Sequence, residues 1–255
     1  PSFGGINLED IAAPRCFDIE DALQDLGIPV FHDDQHGTAI AVLAGVMNSL
    51  LVTGRKIEDT KFVFAGAGAG GIASTKLLME QGATHVTLVD STGIIHKDRS
   101  DLTAVKSAML ETTNPDNTQG GMAEAMRGAD VFIGLSAADA VTAEMVSSMA
   151  KDSIVFAMAN PIPEIWPDEA RAAGASVVGT GRSDFPNQIN NSLVFPGVFR
   201  GALDSHSTRV TTRMKLAAAN ALAALIAEPT PEIVIPWSLD KQVAQTVAKA
   251  VSDAA

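Results

Sequence analysis

Apolar and polar positions fall into blocks whose period switches between strand-like and helix-like along the chain. A short apolar run at 28–32, after a Gly-Ile-Pro turn, predicts a strand. Residues 33–37 are polar and read as a loop. Residues 38–51 are apolar on nearly every side, which predicts a helix buried within a large domain. Beyond these, strands predicted at 61–65, 85–89, 130–133, 153–158 and 176–179 alternate with helices at 71–81, 101–110, 121–127, 142–149 and 167–173. Such alternation implies a parallel sheet with right-handed crossovers. An Ala-rich helix at 211–227 and an amphipathic one at 239–252 close the chain, separated by Pro229, Pro231 and Pro236. The expected fold is α/β: a doubly wound parallel sheet of Rossmann type, with a flanking N-terminal segment and C-terminal helices.

Composition supports a large core, with 46% hydrophobic and 19% charged residues among 255. A net charge of -12 argues against nucleic acid, whose phosphates would be repelled. Cys16 stands alone, so no internal disulfide forms, and a reducing, cytoplasmic location is expected. No basic-plus-apolar signal segment opens the chain, and no uninterrupted apolar run reaches the roughly 18 residues of a membrane span, so no membrane partner is expected. The chain begins at Pro1 and contains no Tyr.

The segment Lys61-Phe-Val-Phe-Ala-Gly66-Ala-Gly68-Ala-Gly-Gly71 has the spacing Gly-x-Gly-x-x-Gly between a strand and a helix. Asp90 closes the next strand, 19 positions after Gly71 (90 minus 71). This is the pattern of a dinucleotide site. Gly66 permits the tight turn, Gly68 lets the backbone approach a pyrophosphate, and Gly71 lets helix and strand pack closely. The free N–H groups of the helix start face the phosphates. Asp90 is expected to accept hydrogen bonds from ribose hydroxyls, which favours NAD; Ser91, Lys97 and Arg99 follow closely and keep NADP open. Ser136 and Ala137, after the strand at 130–133, form a second expected contact. The plain alternatives are an Ala/Gly-rich turn and an ordinary serine turn.

Two acidic pairs stand among apolar residues, Glu9–Asp10 and Asp33–Asp34. Carboxylates at a strand end are costly to bury unless paired, protonated or bound to metal, and oxygen-only ligands suit Mg²⁺ or Mn²⁺. Spacing alone favours the plainer reading, exposed turns with capping aspartates. His32 and His36 have no Cys partner and are read as non-ligands.

The same segments resemble the malic enzyme family, specifically its smaller bacterial type. Phe3-Gly-Gly-Ile-Asn-Leu-Glu-Asp10 is similar to the family segment that supplies two metal ligands. Pro29-Val-Phe-His-Asp-Asp-Gln-His-Gly-Thr-Ala39 resembles the signature Phe-x-Asp-Asp-x-x-Gly-Thr-Ala. Ala157-Met-Ala-Asn160-Pro161 and Asn190-Asn191-Ser-Leu-Val-Phe-Pro-Gly197 resemble the family's Asn-Pro and Asn-Asn-x-x-x-Phe-Pro-Gly segments. The resemblance runs in order from residue 1 to about 240. It implies Glu9, Asp10 and Asp34 as ligands of Mg²⁺ or Mn²⁺, and Asp33 as a catalytic neighbour with Asp34. It implies Asn160 and Asn191 as contacts to malate and the nicotinamide. It divides the chain into a metal-binding segment, 1–36, joined to an upstream domain, and an NAD(P)-binding domain, 37–255.

The implied reaction is oxidative decarboxylation of malate to pyruvate and CO₂ with reduction of NAD(P). The family's Tyr and Lys acid–base groups, and its substrate Arg, fall upstream of residue 1 in this alignment of motifs. The isolated chain is therefore expected to bind dinucleotide and turn over malate negligibly. A homodimer is expected from the family. The competing readings are a noncatalytic nucleotide-binding module and a malolactic-type enzyme releasing lactate.

Overall fold

The computed structural model describes residues 2–255; Pro1, the first residue of the expected segment 1–36, lies outside them. Near the N-terminus, β1 (Ile6–Leu8) and β2 (Val30–His32) pair in parallel as a separate two-stranded sheet, with Leu8 opposite His32. Helix α1 (Arg15–Leu23) lies between them in the chain. Residues 33–37, expected to be a polar loop, instead form one wide turn of π-helix that runs directly into α2 (Thr38–Thr53). The Thr38 N–H reaches back five residues to the Asp33 carbonyl, so the backbone bonding of a loop is replaced by that of a helix start.

The main sheet comprises β3 (Lys61–Ala65), β4 (His85–Asp90), β5 (Gly93–Ile94), β6 (Val131–Gly134), β7 (Ile154–Ala157) and β8 (Val177–Thr180). Their order is β5-β4-β3-β6-β7-β8, parallel throughout except for the short β4–β5 hairpin. The intervening helices are α3 (Ala69–Glu80), α4 (Ala104–Met109), α5 (Met122–Met126), α6 (Ala143–Ser147) and α7 (Pro167–Ala172). After these come α8 (Phe195–Asp204), α9 (Thr212–Ala224) and α10 (Lys241–Asp253). The chain builds outward from β3 to β5, then returns to β6 on the other side. A crevice opens at that reversal, at the carboxyl ends of the strands, where ligands bind in folds of this kind.

The strands read as continuous apolar runs because both faces are covered. Phe62 and Phe64 of β3 join a core with α2, α3 and α9, whereas Val63 and Ala65 join a second core with α5, α6 and α7. Each buried Phe or Val side chain of this kind contributes about 1.5–3 kcal/mol. Helix α2 is apolar all round because the sheet, α3 and α9 enclose it. Among its few polar residues, buried Asn48 donates through Nδ2 to the carbonyls of Ala223 and Val234 at 3.0 and 2.9 Å, which ties α2 to the C-terminal region. Helices α8 and α10 touch through small residues: a Cβ on Gly201 would lie 2.4 Å from the Ala248 carbonyl oxygen.

The pattern of apolar positions located β3 correctly and the other long elements to within a few residues. It missed β1, α1, β5 and α8. The first and third are too short to show a period, and α8 opens with Phe195-Pro-Gly, which reads as a turn although proline suits the first turn of a helix.

Candidate active site

The loop between β3 and α3 has the shape that its glycines permit. Gly66 has φ +103°, and a Cβ there would stand 2.3 Å from the Leu135 carbonyl oxygen. A Cβ on Gly71 would fall 1.8 Å from the Gly66 carbonyl oxygen, so helix and loop are in direct contact. Nothing lies within 4 Å of a Cβ built on Gly68, whose backbone faces a cleft of about 500 Å³. Asp90, Lys106, Ser136 and Ala137 also line this cleft.

Asp90, expected from sequence to accept from ribose hydroxyls, lines the cleft but is already engaged by neighbouring cations. Its carboxylate is gripped by both arms of Arg99 at 2.8 and 3.1 Å and by Lys106 Nζ at 2.6 Å, and it accepts from Thr92 N at 2.9 Å. Burial raises its pKa, but these hydrogen bonds prevail and hold it below the ordinary carboxylate range. Arg99 also grips Asp101. Of the cations considered from sequence, only Arg99 reaches Asp90; Lys106, 16 residues from it on α4, had no local signal.

The second group of residues gathers at the carboxyl ends of β1 and β2. The backbone N–H of Asp10, at φ +57°, donates to Asp34 Oδ2 at 2.8 Å. Asp33 is buried, and its Oδ2 accepts from Asn191 Nδ2 at 2.8 Å, while Oδ1 has no partner among the described residues. Burial, with the nearby Glu9 and Asp34 carboxylates, pushes the pKa of Asp33 up to about 6 despite the Asn191 hydrogen bond. Glu9 itself accepts from Asn7 Nδ2 at 3.1 Å. The fully buried His32 ring places Nδ1 4.0 Å from Asp34 Oδ2. Thus Glu9, Asp10, Asp33, Asp34 and Asn191 come together. Asn160 does not join them: it is exposed beyond β7, packed against Gly181.

The two groups adjoin. A Cβ on Gly70, within the glycine loop's helix, would lie 3.1 Å from the Asp34 carbonyl oxygen and 3.3 Å from Thr38. Residues 35–255 match the family model described as malic enzyme, NAD binding domain. The chain belongs to the malic enzyme family. It is 54% identical, over its whole length, to the bifunctional malic/malolactic enzyme of Bacillus subtilis, of which it covers 63%. It is 50% identical to the NAD-dependent malic enzyme of Geobacillus stearothermophilus, of which it covers 54%. The crystal structure of the NAD-dependent malic enzyme of Thermotoga maritima superposes on the whole chain with TM-score 0.97 at 44% identity, the chain covering 68% of it. The chain thus spans about 54–68% of the length of these malic enzymes.

The carboxylate group has the donor chemistry of a hard-cation site. It offers oxygen ligands only, includes the orphaned Asp33 Oδ1, and has no Lys or Arg in ion-pair contact among the described residues. The candidate ligands Glu9, Asp10 and Asp34 are neighbours rather than a closed cage. Among the described residues no three acidic, His or Cys groups form a ready coordination cluster. Glu9 is turned onto Asn7, and Asp34 onto the Asp10 backbone.

Behind the π-turn lies a polar network that sequence reasoning did not find. His36 and Glu20 are 2.7 Å apart, Gln35 donates to Glu20 at 2.9 Å, and Lys215 Nζ stands 3.0 Å from His36 Nδ1. Burial pulls Lys215 down to about 8. These residues face a separate cavity of about 610 Å³ and hold the back of the Asp33–Gly37 turn in place. Glu164, also missed, is fully buried behind Ser136. The partners that define them lie 15 to 179 positions away, except for the Ala159 N–H, 5 positions from Glu164.

Proposed function

We propose that this chain carries the dinucleotide-binding and metal-binding part of an enzyme that oxidatively decarboxylates malate to pyruvate and CO₂. The observation that carries this reading is the close approach of the Asp34 backbone to Gly70 of α3, which sets the carboxylate-bearing turn beside the helix whose N-terminal loop lines the cleft. Glu9, Asp10 and Asp34 are the residues that would hold Mg²⁺ or Mn²⁺. Bound there, the cation supplies Lewis acidity at the malate C2 oxygen, and the nicotinamide supplies the hydride acceptor. Asp33, anchored by Asn191, holds a proton more readily than an ordinary carboxyl, up to about pH 6. Asn191 and the exposed Asn160 offer amides to malate and the nicotinamide. The loop at Gly66, Gly68 and Gly71 exposes the α3 N–H groups to a pyrophosphate. These retained groups favour an enzyme over a noncatalytic nucleotide-binding module.

The acid–base groups of the reaction are not evident within these 255 residues. There is no Tyr, and Lys76 and Lys215 face the separate cavity. The chain alone should therefore bind dinucleotide and turn over malate negligibly. A coupled assay on it tests this, and robust NAD(P)H production from malate would contradict it. NAD is the expected cofactor. NADP is accommodated because Arg99 and Lys106 offset the Asp90 charge at the cleft. A malolactic reading gains weight from the Bacillus subtilis relative's name; analysis for lactate or pyruvate in the intact protein separates the two. A homodimer remains part of the proposal.

A further inference from the structure

Glu164 is fully buried, and no Lys or Arg pairs with it among the described residues. Its carboxylate instead joins two loops. Oε1 accepts from the backbone N–H and the hydroxyl of Ser136 at 2.8 and 3.1 Å, and Oε2 accepts from Ala159 N at 3.0 Å. The first loop follows β6; the second, residues 158–166 between β7 and α7, contains Asn160 and Glu164 itself, so the carboxylate ties its own loop to the first. Backbone bonds reinforce the junction: Asp139 N donates to the Pro163 carbonyl at 3.1 Å, and Val141 N to the Glu164 carbonyl at 3.0 Å. The room for the carboxyl comes from Gly134, where a Cβ would lie 2.4 Å from Glu164 Cδ. A buried carboxylate survives without a counter-ion only when such donors satisfy it, and moving one loop would leave it short of a partner.

Both loops follow strands beyond the sheet's reversal point from Asp90, and Ser136 and Ala137 of the first line the cleft. In a doubly wound sheet the two halves of a dinucleotide lie on the two sides of that point. We infer that Glu164 is a positioning residue for the nicotinamide ring: it fixes Ser136 and Ala137 relative to Ala159 and Asn160. The inference rests on the dinucleotide reading above. Glu164 reaches the glycine loop only through Ser136, whose N would lie 3.3 Å from a Cβ on Gly66, so its loss should be felt chiefly at the nicotinamide.

Calorimetric titration of the full chain with NAD and with ADP-ribose tests this, alongside thermal unfolding. Glu164→Ala should weaken NAD about tenfold while leaving ADP-ribose within about twofold, the loss of one to two well-placed hydrogen-bonded contacts. Glu164→Gln keeps an acceptor for Ser136 and should fall between. Equal losses for both ligands, or none, would overturn the inference. A wild-type chain that binds neither ligand would instead sink the dinucleotide reading. Should the variants not fold, amide hydrogen exchange of the wild type decides: Ser136 and Ala159 should be protected together, and further by NAD but not by ADP-ribose. Independent exchange of the two amides would contradict the junction.

Discussion

Asp33 and Asn191, 158 positions apart, are joined by a hydrogen bond of 2.8 Å from the asparagine amide to the aspartate Oδ2. The bond links the π-turn before α2 to the turn that leads into α8. It leaves Asp33 Oδ1 buried without a partner, beside Glu9 and Asp34. A carboxyl so placed stores a cost to stability, which function can use and which mutation should reveal.

Asp33 has an ordinary value of 3.8 and is pushed up to about 6 in the fold. Between those values the folded chain holds a proton that the unfolded chain has released. Its contribution to stability is therefore greatest below about 4 and is lost as pH rises through 6. Asp33→Asn keeps an acceptor for Asn191 and removes that loss. In EDTA at pH 7.5 it should stabilise the chain by up to about 3 kcal/mol. The gain should shrink as pH falls toward 5. Urea unfolding measures it, and a variant less stable than wild type at pH 7.5 would refute this account of Asp33.

The glycine loop separates stability from binding. At Gly71 a methyl group would meet the Gly66 carbonyl at 1.8 Å, a backbone contact that cannot give way cheaply. Gly71→Ala should cost about 1–3 kcal/mol or more and also abolish NAD binding. At Gly68 the space is open, so Gly68→Ala should leave the thermal midpoint nearly unchanged. It should nevertheless weaken NAD at least tenfold if the pyrophosphate approaches that backbone. Unfolding and titration of the two variants side by side check both halves; equal stability losses would show that the open face is misassigned.

Lys106 holds Asp90 at 2.6 Å, and its side chain is 23% exposed at the cleft, compared with 8% for Arg99. A 2′-phosphate approaching Asp90 would therefore meet Lys106 first. Lys106→Ala should weaken NADP about tenfold more than NAD, the value of one charge-assisted contact. Paired titrations measure the ratio. An unchanged ratio would move the discrimination elsewhere, Ser91 being the nearest candidate.

The division between what was legible and what was not follows the range of each signal. The strand at 61–65 and its glycine turn depend on consecutive residues, so period and spacing revealed them. The π-turn did not show, because Asp-Asp-Gln-His-Gly is polar and its wide bonding leaves no apolar period. Asp90 was found by its distance from Gly71, yet its engagement by Lys106 depends on how α4 folds back over β4. Glu164 follows a proline-rich turn and shows no pattern; only the approach of two loops reveals why a buried acid sits there.

Binding of Mn²⁺ to the full chain, followed with and without NAD, tests the central claim most directly. Wild type should bind one Mn²⁺ per chain, and Asp34→Asn should lose at least tenfold in affinity while remaining folded and retaining NAD. Mn²⁺ binding that is absent from the wild type, or indifferent to Asp34→Asn, would contradict a cation site formed by the β1 and β2 carboxylates.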